Sequence, residues 1–212
     1  MNFAARRRIR QVMIALLLFL APRWVEAQTE KVINSHTQAW TSLNTAIRLK
    51  GHWGMMADFH LRRTEQFIQN PNFYLLRLGG SYYITDRLVA TAGYSHMWLA
   101  SAVDNGWVYG NEERLYQEVL FKNREGRVQM IQRVRNEQRW QQKLVGGLPV
   151  NSYRFTNRFR YLFNLFIPVS ANPVVPQLML SDEILLNYGK QVGANIFDQN
   201  RITIGVKEKL SK

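Results

Sequence analysis

Charged side chains at every second position are the residues of this chain best placed to do chemistry. Between Val128 and Trp140, arginines and a glutamate alternate with other residues, and further segments repeat the spacing. Because neighbouring residues of a strand point to opposite faces, a spacing of two puts these charges on one face. The candidate charged face consists of Arg133, Arg135, Glu137, Arg139, Arg154, Arg158, Arg160, Glu183 and Arg201.

Two roles suit a face of this composition if it lines the lumen of a barrel. Unpaired buried charge is unfavourable, so the arginines and glutamates can pair with one another and form a plug that keeps a narrow barrel shut. Arginines outnumber carboxylates in the set, and a ring of arginines would instead form a pore that favours anions. This excess of arginines favours the pore, but we favour the plug overall, and the anion pore stays open as the alternative.

Metal and cofactor chemistry has no recognisable pattern in this sequence. Cysteine is absent, which excludes disulfides, thiolate metal ligands and cysteine nucleophiles. The four histidines do not have the spacing of metal ligands, and no glycine-rich phosphate loop is present. These histidines are His36, His52, His60 and His96. We therefore predict no catalytic residue, no metal site and no cofactor.

Histidine-based acid–base chemistry is the remaining enzymatic possibility. Two serine–histidine pairs occur, and since their members are adjacent they would point to opposite faces of a strand and could not form a dyad. The pairs are Ser35-His36 and Ser95-His96. Asp58, His60 and Arg62 do share a face. An acid–base role is open to them, although ion pairing inside a barrel is the simpler interpretation.

Period-two alternation runs through most of the chain and predicts an all-β protein. Nine strands are expected, separated by segments rich in Gly, Asn, Asp and Pro. A short helix over 112–122 is the alternative for the fifth segment. The predicted strands span about 40–50, 53–62, 73–84, 88–99, 113–121, 128–140, 154–163, 177–188 and 197–206.

The predicted connections alternate in length. They are short after the first, third and fifth strands and long after the second, fourth and sixth, where the long ones include 100–111 and a Gly-Gly-Leu-Pro loop. Short turns of membrane barrels normally face the periplasm. Either residues 28–39 would thread the lumen, or this barrel would invert the usual loop lengths.

The length of the predicted strands favours a membrane barrel. Globular strands usually hold about five or six residues, whereas a tilted strand needs about nine to eleven to cross a bilayer. An apolar face would meet lipid, a polar face would line the lumen, and closure would leave no open edge. The predicted fold class is thus an antiparallel, up-and-down transmembrane β-barrel, with a soluble sandwich whose charges face water as the alternative.

The first 27 residues predict export. Four arginines between Arg6 and Arg10 precede an apolar run, Val12 to Leu20, and Val25-Glu26-Ala27 carries the small residues that a signal peptidase reads. This is the layout of a secretory signal peptide, with cleavage before Gln28. A membrane-anchor helix is the alternative, and it is disfavoured because a spanning helix needs roughly 20 apolar residues.

The net charge of the chain indicates which kinds of partner it could bind. The charge of +13 falls to +9 without the first 27 residues, which hold five arginines and one glutamate. A basic chain can bind nucleic acid, but predicted export and the scattering of the basic residues argue against it. We expect no nucleic acid. The expected partners are outer-membrane lipid, lipopolysaccharide and the barrel-assembly machinery, in the outer membrane of a Gram-negative bacterium.

Short motifs in a fixed order give the chain a family resemblance. They are Arg77-x-Gly79-x-x-Tyr82, Gly93-Tyr94, Glu112-x-Arg114, Arg133-x-Arg135-x-Glu137-Gln138-Arg139, Arg158-x-Arg160-Tyr161, Asp182-Glu183 and Phe197-x-Gln199-Asn200-Arg201. From Trp40 onward the chain resembles the domain-of-unknown-function 2490 family, bacterial proteins thought to form outer-membrane β-barrels. The resemblance implies an architecture and no activity, because that family has none assigned.

The end of the chain departs from that pattern. Such proteins usually continue beyond the Gln-Asn-Arg strand and close on a terminal aromatic residue, whereas a charged tail, Lys207 to Lys212, follows here. Nine strands is also an odd number, and bacterial barrels are even. We therefore expect a segment 28–39, a barrel domain over 40–212 that is incomplete at its C terminus, and ten to twelve strands in a complete chain.

Three classes of function follow from these patterns. The favoured one is a structural or narrow-channel barrel with an Arg/Glu-rich lumen. The second is an outer-membrane enzyme that modifies lipid or lipopolysaccharide, for which His60 beside Asp58 is the candidate. The third is a soluble periplasmic β-sandwich or barrel that binds a ligand, and it predicts a chain that stays monodisperse without detergent.

Overall fold

A single antiparallel sheet accounts for the architecture. The computed structural model describes residues 37–64, 69–170, 175–193 and 195–208. Nine strands lie in chain order across the sheet, so each pairs with its neighbours in sequence. They are β1 (Gln38–Arg48), β2 (Trp53–Thr64), β3 (Asn70–Tyr83), β4 (Leu88–Val103), β5 (Gly106–Glu125), β6 (Val128–Val145), β7 (Leu148–Pro168), β8 (Gln177–Tyr188) and β9 (Phe197–Lys207). The predicted all-β, up-and-down antiparallel architecture is confirmed.

The described part of the chain begins at residue 37. The predicted signal peptide and residues 28–36, including Ser35-His36, lie outside the described residues. Among the described residues no helix is present, and none could therefore cross a membrane as an apolar helix. Residues 112–122 belong to β5, so the helical alternative for that segment is wrong.

The connections after β4 and β6 are shorter than predicted. Only Asp104 and Asn105 separate β4 from β5, and backbone pairing runs up to Val103 and Gly106. The loop predicted over 100–111 is therefore wrong. Asp104, Asn105 and Gly106 lie at the tip of a long hairpin, whereas Gly110 and Asn111 are paired within β5. The predicted alternation of short and long connections fails with it.

The Gly-Gly-Leu-Pro segment is likewise a tight turn between paired strands. Gly146 and Gly147 form the turn with φ of 57° and 79°, and Val145 pairs directly with Leu148. A two-residue hairpin turn of this hand needs positive φ at both positions, which glycine adopts without strain. The glycines therefore set the register of the β6–β7 hairpin rather than opening a loop.

The sheet curls, and its curvature brings the two edge strands towards each other. β1 and β9 are the edges of the hydrogen-bonded order. Even so, the guanidinium of Arg201 on β9 lies 5.0 Å from the ring centroid of Trp40 on β1. The concave face thus forms an interior shared by all the strands, and the fold has the form of a curled half-barrel.

Tyr116 packs across the interior onto a glycine pair. Its side chain on β5 is only 1% exposed and lies over the β3–β4 ladder, where Gly79 and Gly93 are opposite each other. A Cβ atom at either glycine would collide with the phenol oxygen. The absence of side chains at these two positions therefore allows β5 to approach β3 and β4 closely on the concave side.

Apolar side chains fill one end of the interior. Phe73, Leu75 and Met97 form a buried cluster, and Leu99 packs against it. These residues come from the start of β3 and the second half of β4, which lie at the same end of the antiparallel sheet. The rest of the interior is dominated by charge.

Candidate functional site

The interior charges lie in rows because the strand register aligns them. Asp58 pairs in register with Arg77 across β2 and β3, and Arg114 pairs with Arg139 across β5 and β6. Ser95 on β4 lies between these pairs, opposite both Arg77 and Arg114. Alternation within each strand determines which side chains face the interior. The register between strands determines which of these side chains are neighbours. Charges from β2 to β9 therefore meet on the concave side.

We refer to these charges as the ion-pair network. Its carboxylates each contact at least one arginine, at nitrogen–oxygen distances between 2.5 and 3.0 Å. It consists of Asp58, Arg77, Glu112, Arg114, Glu118, Arg133, Arg135, Glu137, Arg139, Arg158, Arg160, Glu183, Asp198 and Arg201.

Glu137 and Arg160 form the centre of the network. Arg160 Nη1 donates to Glu137 Oε1 at 2.9 Å, and Glu137 is 2% exposed. Arg135 and Arg114 approach the same carboxylate at 3.7 and 3.8 Å. One negative charge is thus surrounded by three positive ones, and a carboxylate in such surroundings stays ionised.

Glu183 connects the network to the last strand. Arg160 Nη2 donates to both of its carboxylate oxygens, at 2.7 and 2.9 Å, and Arg133 Nη2 donates to Oε1 at 2.7 Å. Arg201 on β9 reaches the other oxygen at 3.5 Å. Two-point contacts of this kind neutralise the charge of the guanidinium and also fix its orientation.

Glu112 and Glu118 hold the remaining arginines of β5 and β6. Glu112 accepts from Arg114 at 2.7 Å and from Arg139 at 2.6 Å. Glu118 accepts from Arg135 Nε at 2.7 Å. All five side chains are buried, and burial of charge is tolerated where pairing and hydrogen bonds are complete.

Eight of the nine residues of the candidate charged face meet in this network. Arg154 is the exception, because it lies nearer the end of β7, is exposed, and donates to Gln141 Oε1 at 2.8 Å. The spacing in β7 places Arg154 on the same face as Arg158 and Arg160. Arg154 is far from the carboxylates because of its position along β7. Alternation predicts the face of a residue and not how far along the sheet its neighbours lie.

Sequence reasoning placed two of the six network carboxylates on the candidate charged face and Asp58 only in the group with His60 and Arg62, so three were missed altogether. Glu112 and Glu118 are two of the missing residues, and the alternation Glu112-x-Arg114-x-Tyr116-x-Glu118 could have revealed them. Asp198 is the third, and no period-two pattern could have placed it. A register shift between Leu185 and Leu186 makes Asp198 the extra residue of a bulge, from which it reaches Arg158 at 3.0 Å.

The network separates two cavities. The first, the Trp40 cavity, has a volume of about 580 Å³ and lies at the end where β1 begins; its wall includes Trp40, Arg62 and Leu99. The second, the Tyr83 cavity, is about 410 Å³ and lies towards the opposite end, with Tyr83, Val89 and Lys122 in its wall. His60, Arg77 and Arg160 line both. The layer between the cavities is therefore made of charged side chains.

The histidines that the structure describes lie apart from one another. His60 Nε2 is 4.0 Å from Asp58, and that nitrogen is buried without a hydrogen-bond partner. His96 lies on the opposite side of β4 from Ser95 and contacts Glu113 at 2.7 Å. Among the described residues no group of three or more histidine or acidic side chains is arranged to hold a metal ion.

One ion pair outside the interior changes the pKa of a carboxyl group. Arg48 Nη1, at the end of β1, donates at 2.7 Å to Oδ1 of Asp86, which lies in the turn between β3 and β4. This hydrogen bond, together with the positive charge of Arg48, lowers the pKa of the Asp86 carboxyl. Both side chains are exposed, so the pair adds little to stability.

The fold and the site define a class of protein: an all-β chain whose curled antiparallel sheet encloses a buried network of arginines and carboxylates. Residues 37–212 match the family described as Protein of unknown function (DUF2490), and the chain belongs to that family. The predicted family resemblance is confirmed. A search of the curated proteins found no match. A search of the solved structures also found none.

Proposed function

We propose that the protein is an outer-membrane β-barrel whose interior is occluded by the ion-pair network. The observation that carries the proposal is the contrast between the two faces of the sheet. Each strand exposes at least one large hydrophobic side chain, while the concave face buries charge. Leu78, Ile202 and Ile204 on the convex face are 52%, 78% and 75% exposed.

Lipid explains this surface better than water does. Soluble monomers rarely expose contiguous apolar patches of more than a few hundred Å², whereas the lipid-facing band of a barrel is apolar by necessity. Every strand has at least 11 residues, which meets the length that a tilted strand needs to cross a bilayer. The outer membrane is where such strands are inserted, by the barrel-assembly machinery, among lipid and lipopolysaccharide.

Closure of the sheet is part of the proposal. Lipid offers no hydrogen-bond partner to the backbone of β1 or β9, so both edges need strand partners in a bilayer. β1 and β9 run in the same direction, since an even number of antiparallel steps separates them. The proximity of Arg201 to Trp40 supports closure between them, which would give a barrel of nine strands instead of the ten to twelve that the sequence predicts.

The interior favours a structural barrel over an open pore. Arg135 and Glu137 are 1% and 2% exposed, and the charged layer divides the interior into two cavities. An anion-selective narrow channel is the second candidate, and the excess of arginines over carboxylates in the interior favours it. Conductance of the protein in planar bilayers separates the two, since the plug predicts no stable open state.

Cell fractionation combined with gel mobility tests the proposal. The full chain is expressed with its N-terminal segment in a Gram-negative host, and its membranes are separated by density. Recovery in the outer membrane, with a mobility that changes on boiling, is the expected result. A chain recovered as a monodisperse protein from the periplasm without detergent would reject the barrel. An altered lipid A profile on expression that disappears with His60→Ala would favour the lipid-modifying enzyme.

A further inference from the structure

The Trp40 cavity has a wall that is both strongly basic and partly apolar. Seven arginines line it, against two carboxylates, Glu112 and Asp198. The apolar part of the wall comes from the buried cluster of Phe73, Leu75 and Met97, with Leu99 beside it. A cavity of about 580 Å³ with walls of both kinds has the size and composition of a ligand site.

Positive charge exceeds negative charge throughout the described interior. Nine arginines belong to the network or line the cavities, whereas six carboxylates do, so the pairs leave a surplus of positive charge. The Tyr83 cavity borders Asp58 and Glu118 as well as arginines. Its wall has five basic side chains against these two carboxylates, so the surplus of positive charge is smaller there than in the wall of the Trp40 cavity, where seven arginines face two carboxylates.

Among the arginines that line the Trp40 cavity, Arg62 is the one without a carboxylate partner. No acidic side chain of the described residues lies within ion-pair distance of its guanidinium, and its Nε is buried without a hydrogen-bond acceptor. It stacks on two aromatic rings instead, 3.6 Å from the centroid of Trp40 and 4.8 Å from that of Phe73. A buried donor with no acceptor is unfavourable unless something supplies one.

A second guanidinium faces the same indole ring. Arg201 lies 5.0 Å from the Trp40 centroid, so Arg62 and Arg201 are like charges gathered on one aromatic side chain. An anionic group between them would neutralise both and give Arg62 Nε its acceptor. Arginine is well suited to this role because its planar donors match the oxygens of phosphate and carboxylate.

We propose that the Trp40 cavity binds an amphipathic anion, with an oxyanion head between Arg62 and Arg201 and an apolar chain along Phe73, Leu75 and Leu99. The Arg62 guanidinium and the apolar cluster line the same cavity and adjoin each other, since Arg62 lies over the ring of Phe73. A phosphate or carboxylate head alone would use only the basic half. The site goes beyond the proposed function and does not require the barrel to lie in the outer membrane.

Calorimetric titration of the purified full chain in a neutral detergent tests the site. The probes are hexyl phosphate, inorganic phosphate and hexanol, which carry both halves of the ligand, the head alone and the chain alone. We expect saturable binding of one hexyl phosphate per chain, at least tenfold weaker binding of inorganic phosphate, and no saturable binding of hexanol. Affinity should fall as salt rises, because the head binds through charge.

Two arginine variants locate the binding. Arg62→Gln should weaken binding of hexyl phosphate at least tenfold, and Arg124→Gln, at the exposed end of β5, should change it less than twofold. If Arg62→Gln does not fold, as judged by circular dichroism and gel mobility, Arg201→Gln replaces it with the same expected loss. Glu183 would then keep its contacts with Arg133 and Arg160.

Each other outcome overturns the proposal. Absence of saturable binding by folded protein excludes the site, and equal losses in Arg62→Gln and Arg124→Gln indicate surface adsorption. Equal affinities for inorganic and hexyl phosphate exclude an amphipathic ligand. Binding is measured on isolated folded protein, so its failure is distinct from a failure of the chain to fractionate with the outer membrane.

Discussion

Arg160 on β7 donates to Glu137 on β6 at 2.9 Å, and the two side chains are 8% and 2% exposed. Around this contact, Glu137 also lies within 4 Å of Arg114 and Arg135. The charge of Glu137 is therefore shared by three arginines, and its removal would affect all of them.

Glu137→Gln should destabilise the folded protein strongly. The substitution keeps the shape of the side chain and leaves three neighbouring arginines without their shared carboxylate, and breaking a buried ion pair in this way lowers the free energy of unfolding by about 3–5 kcal/mol. Urea unfolding in detergent micelles measures the change. Glu125→Gln, at the exposed end of β5, is the matched control and should leave the midpoint unchanged. A midpoint for Glu137→Gln equal to that of the control would show that the network does not stabilise the fold.

Gly79→Ala should destabilise the sheet through Tyr116. The new methyl group meets the phenol oxygen of Tyr116 first, and overpacking of this kind lowers the free energy of unfolding by about 1–3 kcal/mol. Adding Tyr116→Phe removes that oxygen and should restore part of the loss.

Gly93→Ala is the control for this rescue. There the added Cβ collides with the backbone carbonyl of Leu78 as well as with Tyr116. Tyr116→Phe should therefore rescue Gly79→Ala and not Gly93→Ala, as measured by the thermal midpoint of the gel-mobility change. Equal rescue of both variants would contradict the packing of Tyr116 onto Gly79.

Leu78→Arg tests whether the convex face meets lipid. Leu78 lies near the middle of β3 and is 52% exposed. An arginine near the bilayer midplane destabilises a barrel by about 2–4 kcal/mol, whereas on a water-exposed surface the effect stays within about 0.5 kcal/mol. The free energy of unfolding, measured in phospholipid vesicles, distinguishes a lipid-facing position from a water-exposed one. Val145→Arg, at the β6–β7 turn, is the control and should have the smaller effect.

Cysteine cross-linking tests closure between β1 and β9. The chain contains no cysteine, so introduced pairs report only the chosen contacts. Single cysteines at Ser42 or Asn44 are combined with single cysteines at Arg201 or Thr203, and at least one pair should oxidise to a disulfide in intact cells. Ser42→Cys combined with Gln117→Cys, on the convex side of β5, should not. Cross-linking of none of the β1–β9 pairs in folded protein would exclude direct closure of these edges.

Export predicts a defined mature N terminus. Mass spectrometry of the protein recovered from membranes should show a chain that begins at Gln28. Ala27→Arg places a bulky charge where the peptidase reads a small residue, so it should leave a precursor that retains residues 1–27. An unprocessed natural chain in the same fraction would instead support the membrane-anchor interpretation of that segment.

The sequence by itself determined the all-β class, the number of strands within the described residues and the charged face. These properties are local, because a spacing of two selects one face of a strand whatever its neighbours are. The same local reasoning failed at 100–111, where Asp, Asn and Gly occur at the tip of a hairpin whose flanks remain paired. Composition reveals that a turn is near, and backbone pairing decides where it begins.

Only the tertiary structure decided which charges meet. Arg160 and Glu137 are 23 residues apart, and Arg133 and Glu183 are 50 apart, so their contact depends on the register of three strands. Asp198 enters the interior through a bulge, and Arg154 lies too near the end of β7 to reach a carboxylate. The position of Arg62 on Trp40 and opposite Arg201 depends on the curl of the sheet. Register and curvature arise from contacts between strands, and no single segment of the sequence contains them.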